Sequence, residues 1–308
     1  MTPLVELRAG AARATLAPEV GGAVVRYECN DEPILRQTMA TTLAAGDVLG
    51  VSSYPLVPFS NRIAGATLHW EGKSYRLPRY LPDQPHAIHG NGWRRRWDVV
   101  EQTPASAALE LVHSATGPSA DEWPFAYRAR QTFALGPTDL SMTLSIANTG
   151  DRPFPFGLGW HPFFPRKPST VLGFAAAGVW QTDPTLLPAR LDRVPPAWDF
   201  SVPRAIGATT LDNCVAGWRP PATLRWPERR LAVTIAADES CTHLVVFIPP
   251  GRDDLAIEPV THMTDAFNRA AAGERDTGTR VLAPGARFSC TMRISVSPGL
   301  EATDAIGV

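Results

Sequence analysis

Charge is scarce in this sequence. Of its 308 residues 19% are charged, and the formal net charge is −1, whereas about a quarter of the residues of a typical soluble protein are charged. A chain so nearly neutral produces no long-range field that would attract nucleic acid or an anionic membrane surface. We therefore expect neither as a partner, and a small neutral ligand fits the charge balance.

Cysteine and long apolar runs are also scarce. The four cysteines, Cys29, Cys214, Cys241 and Cys290, stand singly, without the close pairs of a zinc site or the density of a secreted disulfide scaffold. We expect four reduced thiols. The first residues do not form a basic segment followed by an apolar one, as in a signal peptide. No uninterrupted apolar run reaches about eighteen residues. These absences predict a soluble, cytoplasmic protein.

Several catalytic motifs are missing as well. The sequence has no glycine-rich nucleotide-binding loop, no G-x-S-x-G nucleophile elbow and no strand-linked cysteine nucleophile where such chemistry would need it. Nucleotide chemistry and acyl transfer are therefore disfavoured.

Proline, by contrast, is abundant, and short alternating segments follow one another along the chain. The 30 prolines are roughly double the usual share, which favours turns over long helices. Apolar residues alternate with small hydroxylated ones over residues 140–146, as in a strand with one buried face. An almost unbroken alternation of apolar and other residues recurs over residues 288–296. The pattern predicts one all-β domain over residues 1–308, folded as a large antiparallel β-sandwich.

The prolines also shape the predictions for local structure. Residues 151–205 are rich in proline and are predicted to be irregular. Within them Pro162 follows His161 and biases it away from helical geometry, so we expect His161 at a strand end or in a turn. The one predicted helix is short, residues 264–272, with Thr264 or Asp265 as its cap.

A candidate ligand site lies in residues 59–92, where an arginine and two histidines stand among glycines and prolines. Arg62 is either an exposed charge at a strand end or a fixed fork of donors for hydroxyls or a carboxylate. His86 and His89 are three apart on extended chain and tend to face opposite ways. That spacing disfavours a metal site built from them with His161 and Glu258, and we expect no metal.

Further candidates lie later in the chain. Glu258 ends an apolar strand and directly precedes a proline, so it is either a solvated strand terminus or a partly buried base with a raised pKa. His161 and His89 each fit a structural histidine when taken singly. If both met Glu258 in one cleft, they would supply the groups for general acid–base catalysis. Asp212 is either a turn residue that bonds its own backbone or an acceptor for sugar hydroxyls.

One dense charge run stands between two tryptophans, Trp93 and Trp97. Its members, Arg94, Arg95 and Arg96, form either a phosphate site or a solvated strand edge. The tryptophans either belong to the core or offer a face on which a pyranose stacks.

Five short motifs, taken in order, resemble those of the aldose 1-epimerases, also called galactose mutarotases. They are Asn61-Arg62-Ile63 followed by Gly65, His86-Ala87-Ile88-His89-Gly90, Gly159-Trp160-His161-Pro162-Phe163-Phe164, Leu211-Asp212-Asn213, and Ile257-Glu258-Pro259-Val260-Thr261 with Asp265-Ala266-Phe267-Asn268. The residues around His161 depart from the asparagine-rich approach and the tyrosine of the best-known galactose-active members. The resemblance therefore leaves the preferred sugar open.

The resemblance implies a galactose mutarotase-like supersandwich with an open cleft, and a reaction that needs no metal or cofactor. By position, Glu258 resembles the general base that acts on the C1 hydroxyl, and His161 resembles the general acid that protonates the ring oxygen. His89 matches a supporting histidine, and Arg62 and Asp212 match sugar-binding positions. Ring opening needs both proton transfers, so we expect the base and the acid to flank the ring on opposite sides.

We accordingly predict a mutarotase that interconverts the α and β anomers of a free aldose, as a monomer or a homodimer. Two alternatives stay open. The first is an epimerase of a phosphorylated or otherwise anionic hexose, suggested by the arginine run and Arg62. The second is a sandwich that binds carbohydrate without converting it.

Overall fold

Short strands make up most of the molecule. The structure is a computed structural model and describes residues 3–299. In chain order its strands are β1 (Val5–Ala9), β2 (Ala12–Ala17), β3 (Ala23–Cys29), β4 (Glu32–Pro33), β5 (Ser53–Leu56), β6 (Arg62–Ile63), β7 (Thr67–Trp70), β8 (Lys73–Arg76), β9 (Ala87–Ile88), β10 (Asp98–Gln102), β11 (Ser106–His113), β12 (Tyr127–Leu135), β13 (Asp139–Asn148), β14 (Phe154–Phe156), β15 (Gly159–Pro165), β16 (Val171–Ala175), β17 (Gly178–Thr182), β18 (Pro188–Asp192), β19 (Arg204–Ala205), β20 (Leu211–Ala216), β21 (Arg219–Trp226), β22 (Leu231–Ala237), β23 (His243–Ile248), β24 (Asp254–Val260), β25 (Arg280–Leu282) and β26 (Arg287–Pro298). The α-helices are α1 (Ala40–Ala45) and α2 (Ala266–Ala271), and short 3₁₀ turns cover Val48–Gly50, Ala64–Ala66, Gly92–Arg94, Pro196–Trp198 and Pro227–Arg229.

Two large sheets contain most of these strands. The first has eleven strands in the order β1-β2-β3-β5-β15-β24-β23-β20-β17-β18, with β4 paired to β3, and the second has nine in the order β10-β11-β12-β13-β26-β22-β21-β16-β19. Neighbouring strands pair antiparallel in both sheets. The predicted all-β fold built on large antiparallel sheets is confirmed.

The hydrophobic core lies between the two sheets. Every second residue of β13 is buried, as the alternation in the sequence predicted. The Tyr27 hydroxyl on β3 donates to the Ile294 carbonyl of β26 across the core, over 3.3 Å. Trp93 and Trp97 are 0% and 1% exposed. They therefore belong to the core and do not offer a face on which a sugar could stack. Each buried tryptophan removes roughly 150–250 Å² from water, which at about 25 cal/mol per Å² contributes around 4–6 kcal/mol.

The eleven-stranded sheet is covered on both faces near its centre. All residues of β24 are buried, and because successive side chains on a strand point to opposite faces, neither face of β24 is open to bulk water. The four cysteines are free thiols, as predicted, and all four are buried.

Two predictions for local structure are wrong. Residues 151–205 are not irregular, because they contain the strands β14 to β19. His161 lies inside β15 rather than at a strand end or in a turn. A residue before proline prefers extended backbone, which suits a strand as well as a turn. The missing N–H of Pro162 is tolerated because the register with β24 is interrupted between Gly159 and Phe163, while pairing with β5 continues.

The helices also differ in part from the prediction. Helix α2 falls within the predicted segment, but Asp265 at its N-cap has a left-handed backbone and makes no capping bond with its side chain. Its Oδ1 instead accepts from the Ala64 amide at 3.0 Å. Helix α1 was not predicted, because it buries no residue and so carries no apolar periodicity. Within residues 3–299 no helix is long and apolar enough to cross a membrane.

Candidate active site

All five residues singled out from the sequence line one cleft. The cleft has a volume of about 230 Å³, and its walls include Arg62, His89, His161, Asp212 and Glu258. The last three of these lie on strands of the eleven-stranded sheet. The five residues are up to 196 positions apart in the chain, from 62 to 258. The fold therefore brings together the set whose proximity the sequence left undecided.

His161 and Glu258 form the floor of the cleft. Gly159 pairs with Val260 and Phe163 with Ala256 on β15 and β24, and this register places His161 opposite Glu258. Their side chains meet, with His161 Nε2 3.2 Å from Glu258 Oε1. Base and acid candidates thus lie beside each other on one sheet, and the expectation that they flank a ligand on opposite sides is wrong for this geometry.

Burial sets the protonation of this pair. Glu258 is 1% exposed, so the prediction of a solvated strand terminus is wrong. Burial raises the pKa of Glu258 well above its usual value, Asp212 raises it further, and Arg62 opposes the rise. Burial lowers the pKa of His161 to about 3, and Arg36 adds to the decrease. Burial therefore disfavours the charged form of each group.

Two aromatic rings pack against the His161 imidazole. The Phe163 ring stacks on it with a centroid distance of 4.3 Å, and Tyr54, its partner on β5, lies at 4.8 Å. The Nδ1 atom of His161 and the Oε2 atom of Glu258 are buried and have no hydrogen-bond partner among residues 3–299. The floor therefore carries unused polar atoms next to a held acid–base pair, and such groups are uncommon in buried positions unless they serve a ligand.

His89 is held as a neutral imidazole at the edge of the cleft. Its Nδ1 accepts from the Asn61 amide at 3.1 Å, and its own amide donates to the Asn61 carbonyl at 2.9 Å. Burial lowers the pKa of His89 well below its usual value, and His161 lowers it further. Because Nδ1 accepts, the proton of the ring is on Nε2, which makes His89 a donor rather than a base.

The backbone around His89 requires special residues. His89 itself has φ 62° and the following Gly90 has φ 67°. A Cβ atom at residue 90 would lie 2.3 Å from the carbonyl oxygen of Val57, so only glycine fits there. The His-Gly sequence thus has a steric cause as well as a chemical one.

Arg62 and Asp212 form a charged pair in the wall of the cleft. Arg62 Nη1 donates to Asn61 Oδ1 at 3.1 Å, its Nε donates to Gln84 at 3.4 Å, and its Nη2 lies 3.7 Å from Asp212 Oδ2. Burial raises the pKa of Asp212, and Arg62 opposes the rise. Arg62 is therefore a buried, oriented fork rather than an exposed strand-end charge, and Asp212 lies on β20 rather than in a turn.

Histidine and carboxylate side chains hold the loop that carries Arg62. His262 accepts from the Ser60 amide at 3.0 Å, and His86 Nδ1 accepts from the Gly65 amide at 3.0 Å. His86 thus positions the loop and does not line the cleft. Nothing in the sequence pattern pointed to His262, whose role depends on a contact across 202 residues.

The arginine run is not part of the cleft. Arg95 bonds to Glu122 at 2.9 Å, and Arg96 lies 3.3 Å from Glu19. The guanidinium of Arg94 lies 4.9 Å from the centre of the Tyr80 ring. These partners are carboxylates and an aromatic ring of the protein itself, so the suggestion of a phosphate site there loses its basis.

Sequence reasoning missed several residues that line the cleft, among them Phe163, Phe247 and Arg252. Phe163 and Phe247 supply apolar wall, and Arg252 supplies a cation from the loop between β23 and β24. Phe163 lies in a motif that was noted for its histidine, whereas Arg252 stands in an ordinary Gly-Arg-Asp-Asp turn. Among residues 3–299 no group of three histidine, cysteine, aspartate or glutamate side chains is placed to hold a metal ion.

The fold is that of a galactose mutarotase-like β-sandwich. The chain matches the family model for aldose 1-epimerase over residues 3–295. An uncharacterized protein of Escherichia coli K12, YphB, is 28% identical over 284 residues, covering 90% of this chain and 93% of that protein. The chain therefore belongs to the aldose 1-epimerase family.

Solved structures agree with this assignment. A crystal structure from Escherichia coli K12, provisionally identified as an aldose 1-epimerase, gives a TM-score of 0.85 at 27% identity, covering 96% of this chain and 99% of its own. A galactose mutarotase-like protein from Clostridium acetobutylicum gives a TM-score of 0.83 at 17% identity, with 96% and 95% covered. At this low identity, the second structure shows that the fold is shared.

Proposed function

We propose that this protein is a mutarotase that interconverts the α and β anomers of a free aldose by acid–base catalysis. The contact between His161 Nε2 and Glu258 Oε1 at 3.2 Å carries the proposal. In a cyclic aldose the C1 hydroxyl and the ring oxygen are bonded to the same carbon. Two oxygens so close together can each face one member of an acid–base pair whose members also lie side by side.

The proposed reaction moves one proton in each direction. Glu258, as carboxylate, takes the proton of the C1 hydroxyl, while the His161 imidazolium gives its Nε2 proton to the ring oxygen. The bond between C1 and the ring oxygen breaks and C1 becomes an aldehyde carbon. Rotation about C1–C2 exposes the other carbonyl face, and ring closure with the two roles reversed gives the other anomer. The pair holds one proton before and after, so the cycle balances.

The other cleft residues have supporting roles in this proposal. His89 offers its Nε2 proton as a fixed donor to a sugar oxygen near the pair. The Arg62–Asp212 pair offers a donor fork and an acceptor to hydroxyls of the ring. A volume of about 230 Å³ suits one monosaccharide and leaves little room for bulk water around the reacting atoms.

Polarimetry tests the proposal directly. Freshly dissolved α-glucose and α-galactose should reach their equilibrium rotation faster with the protein, in proportion to its concentration, after the spontaneous rate is subtracted. The assay should include other common aldoses, because the sugar is not specified by the site. A protein that binds a sugar by calorimetry but accelerates none of them would be a carbohydrate-binding sandwich and would refute the proposal.

Arg62→Lys tests the sugar-binding role of the fork. Lysine keeps the charge but cannot reach Asn61, Gln84 and Asp212 together, so we expect KM to rise about 10–100-fold with a smaller change in kcat. Progress curves at several sugar concentrations measure the two separately. The matched control is Arg229→Lys, since Arg229 also pairs with a carboxylate, Glu32, but away from the cleft. An unchanged KM in Arg62→Lys would remove Arg62 from the binding site.

A further inference from the structure

Tyr54 lines the cleft and carries a hydroxyl group that the proposed chemistry does not use. Tyr54 lies on β5 and pairs directly with His161 on β15, and His161 in turn lies opposite Glu258 on β24. Residues directly opposite each other on antiparallel strands point to the same face of a sheet. Tyr54, His161 and Glu258 therefore form a row across the floor of the cleft, with His161 in the middle.

The ring of Tyr54 is tightly packed, but its hydroxyl is not bonded. The ring centre lies 4.8 Å from that of His161, 5.5 Å from that of Trp93 and 5.9 Å from that of His89. Tyr54 is only 3% exposed, and among residues 3–299 no group forms a hydrogen bond with its hydroxyl. A buried tyrosine hydroxyl usually has a partner. The oxygen is not among the unpartnered atoms that are closed off from solvent, so a ligand in the cleft can reach it.

The hydroxyl of Tyr54 stays protonated at every pH at which the protein would be assayed. Burial raises the pKa of Tyr54 well above its usual value, the charge of Glu258 raises it further, and Arg36 and Arg252 oppose the rise. A protonated phenol donates one hydrogen bond and also accepts. A sugar hydroxyl has the same two capacities, so the two groups match.

Tyr54 also lies at the edge of the cleft. In the order of the sheet, β3, β2 and β1 follow β5 on the side away from β15. In the part of the chain that the structure describes, none of these three strands contributes a residue to the cleft walls. A ligand group that extends past His161 in this direction therefore meets Tyr54.

The proposed mechanism sets the direction of a sugar along this row. The C1 hydroxyl faces Glu258 and the ring oxygen faces His161. In a pyranose the ring oxygen joins C1 to C5. When C6 is equatorial, the bond from C5 to C6 points onward from C1 past the ring oxygen. The C6 group therefore lies on the side of His161 away from Glu258, which is the side of Tyr54.

We propose that the hydroxyl of Tyr54 binds the C6 hydroxyl of an aldohexose and so makes the protein select hexoses. The inference rests on the proposed function, because the mutarotase mechanism sets the direction of the sugar. A pentose or a 6-deoxyhexose has no C6 hydroxyl and leaves the tyrosine hydroxyl without this partner. The net contribution of one neutral hydrogen bond corresponds to a preference of about 3–10-fold.

The test compares sugars that differ only at C6. Glucose, 6-deoxyglucose and xylose form one series, and galactose, 6-deoxygalactose and L-arabinose form another. Polarimetry gives kcat/KM for each sugar with the unmodified protein and with Tyr54→Phe. We expect the unmodified protein to favour at least one hexose over its 6-deoxy analogue by about 3–10-fold, and Tyr54→Phe to bring this ratio close to one. The values for 6-deoxyhexoses and pentoses should not change, because the ring that packs on His161 remains.

Tyr27→Phe is the matched control. Tyr27 is a buried tyrosine of the same sheet, but its hydroxyl donates to the Ile294 carbonyl at 3.3 Å and it does not line the cleft. We expect its ratio of hexose to 6-deoxyhexose to match that of the unmodified protein. Tyr54→Phe breaks no hydrogen bond within the protein, so it should fold, as circular dichroism checks. If it does not, Tyr54→Met also lacks the hydroxyl and should give the same ratio close to one.

Failure of this inference differs from failure of the proposed function. Equal kcat/KM for each hexose and its 6-deoxy analogue in the unmodified protein would refute the role of Tyr54 and leave the mutarotase proposal intact. A hexose preference that Tyr54→Phe leaves unchanged would do the same. An equal loss for all sugars in Tyr54→Phe would also refute it, since the hydroxyl would then act through His161 and not on C6. Absence of acceleration with every sugar of both series would refute both proposals.

Discussion

Replacing Glu258 with glutamine is expected to reduce kcat for mutarotation by about 10²–10⁴-fold, with little change in the fold. The amide has nearly the shape of the carboxyl group and can still lie against His161 Nε2. It cannot take up the proton of the C1 hydroxyl, so ring opening loses its base. Polarimetry on the best aldose substrate measures the loss.

The same substitution should raise the thermal stability of the protein, although it lowers the rate. A carboxyl group whose pKa is raised on folding stabilises the folded state below its unfolded pKa, and this contribution is lost as pH rises through the folded pKa. The pKa of Glu258 is raised well above its usual value by burial. Glu258→Gln removes this pH dependence, so its advantage in thermal stability over the unmodified protein should grow from about pH 4.5 upward.

The matched control for Glu258→Gln is Glu28→Gln. Glu28 is also a buried glutamate of the eleven-stranded sheet, but it pairs with Arg26 at 2.9 Å and does not line the cleft. We expect its rate per folded molecule to match that of the unmodified protein. A Glu258→Gln protein that mutarotates sugar at an unaltered rate would show that the base assignment is wrong.

The fold could be predicted from the sequence because its signals are local. The alternation over residues 140–146 reports one buried face of one strand, and it appears in the structure as the burial pattern of β13. The prediction that residues 151–205 are irregular was wrong for the same reason. Its strands β14 to β19 are short, and sheet neighbours far away in the chain stabilise them, as β5 and β24 do for β15.

The candidate site could be predicted in its residues but not in its arrangement. The motifs named Arg62, His89, His161, Asp212 and Glu258, and the structure brings all five to one cleft. The side-by-side arrangement of His161 and Glu258 follows from the register between β15 and β24. No single stretch of sequence shows that register. Arg252 was missed because only the folded chain brings the loop between β23 and β24 to the cleft.

Replacing His161 with glutamine is expected to reduce kcat by about 10²–10⁴-fold as well, because the glutamine amide donates a hydrogen bond but gives up no proton. A group of residues that acts as a unit has non-additive effects. The double variant with Glu258→Gln should therefore be about as slow as the slower single variant. The control is His113→Gln, since His113 is a buried histidine bonded to the Trp123 carbonyl at 2.7 Å, away from the cleft.

The pH dependence of the two single variants separates the base from the acid. In His161→Gln the remaining rate needs Glu258 as carboxylate, so it should rise as pH rises through the raised pKa of Glu258. In Glu258→Gln the remaining rate needs His161 as imidazolium, and because burial lowers the pKa of His161 to about 3, that rate should rise as pH falls toward 3. Polarimetry across the pH range, with the spontaneous rate subtracted at each point, measures both slopes. If both slopes are reversed, Glu258 is the acid and His161 is the base.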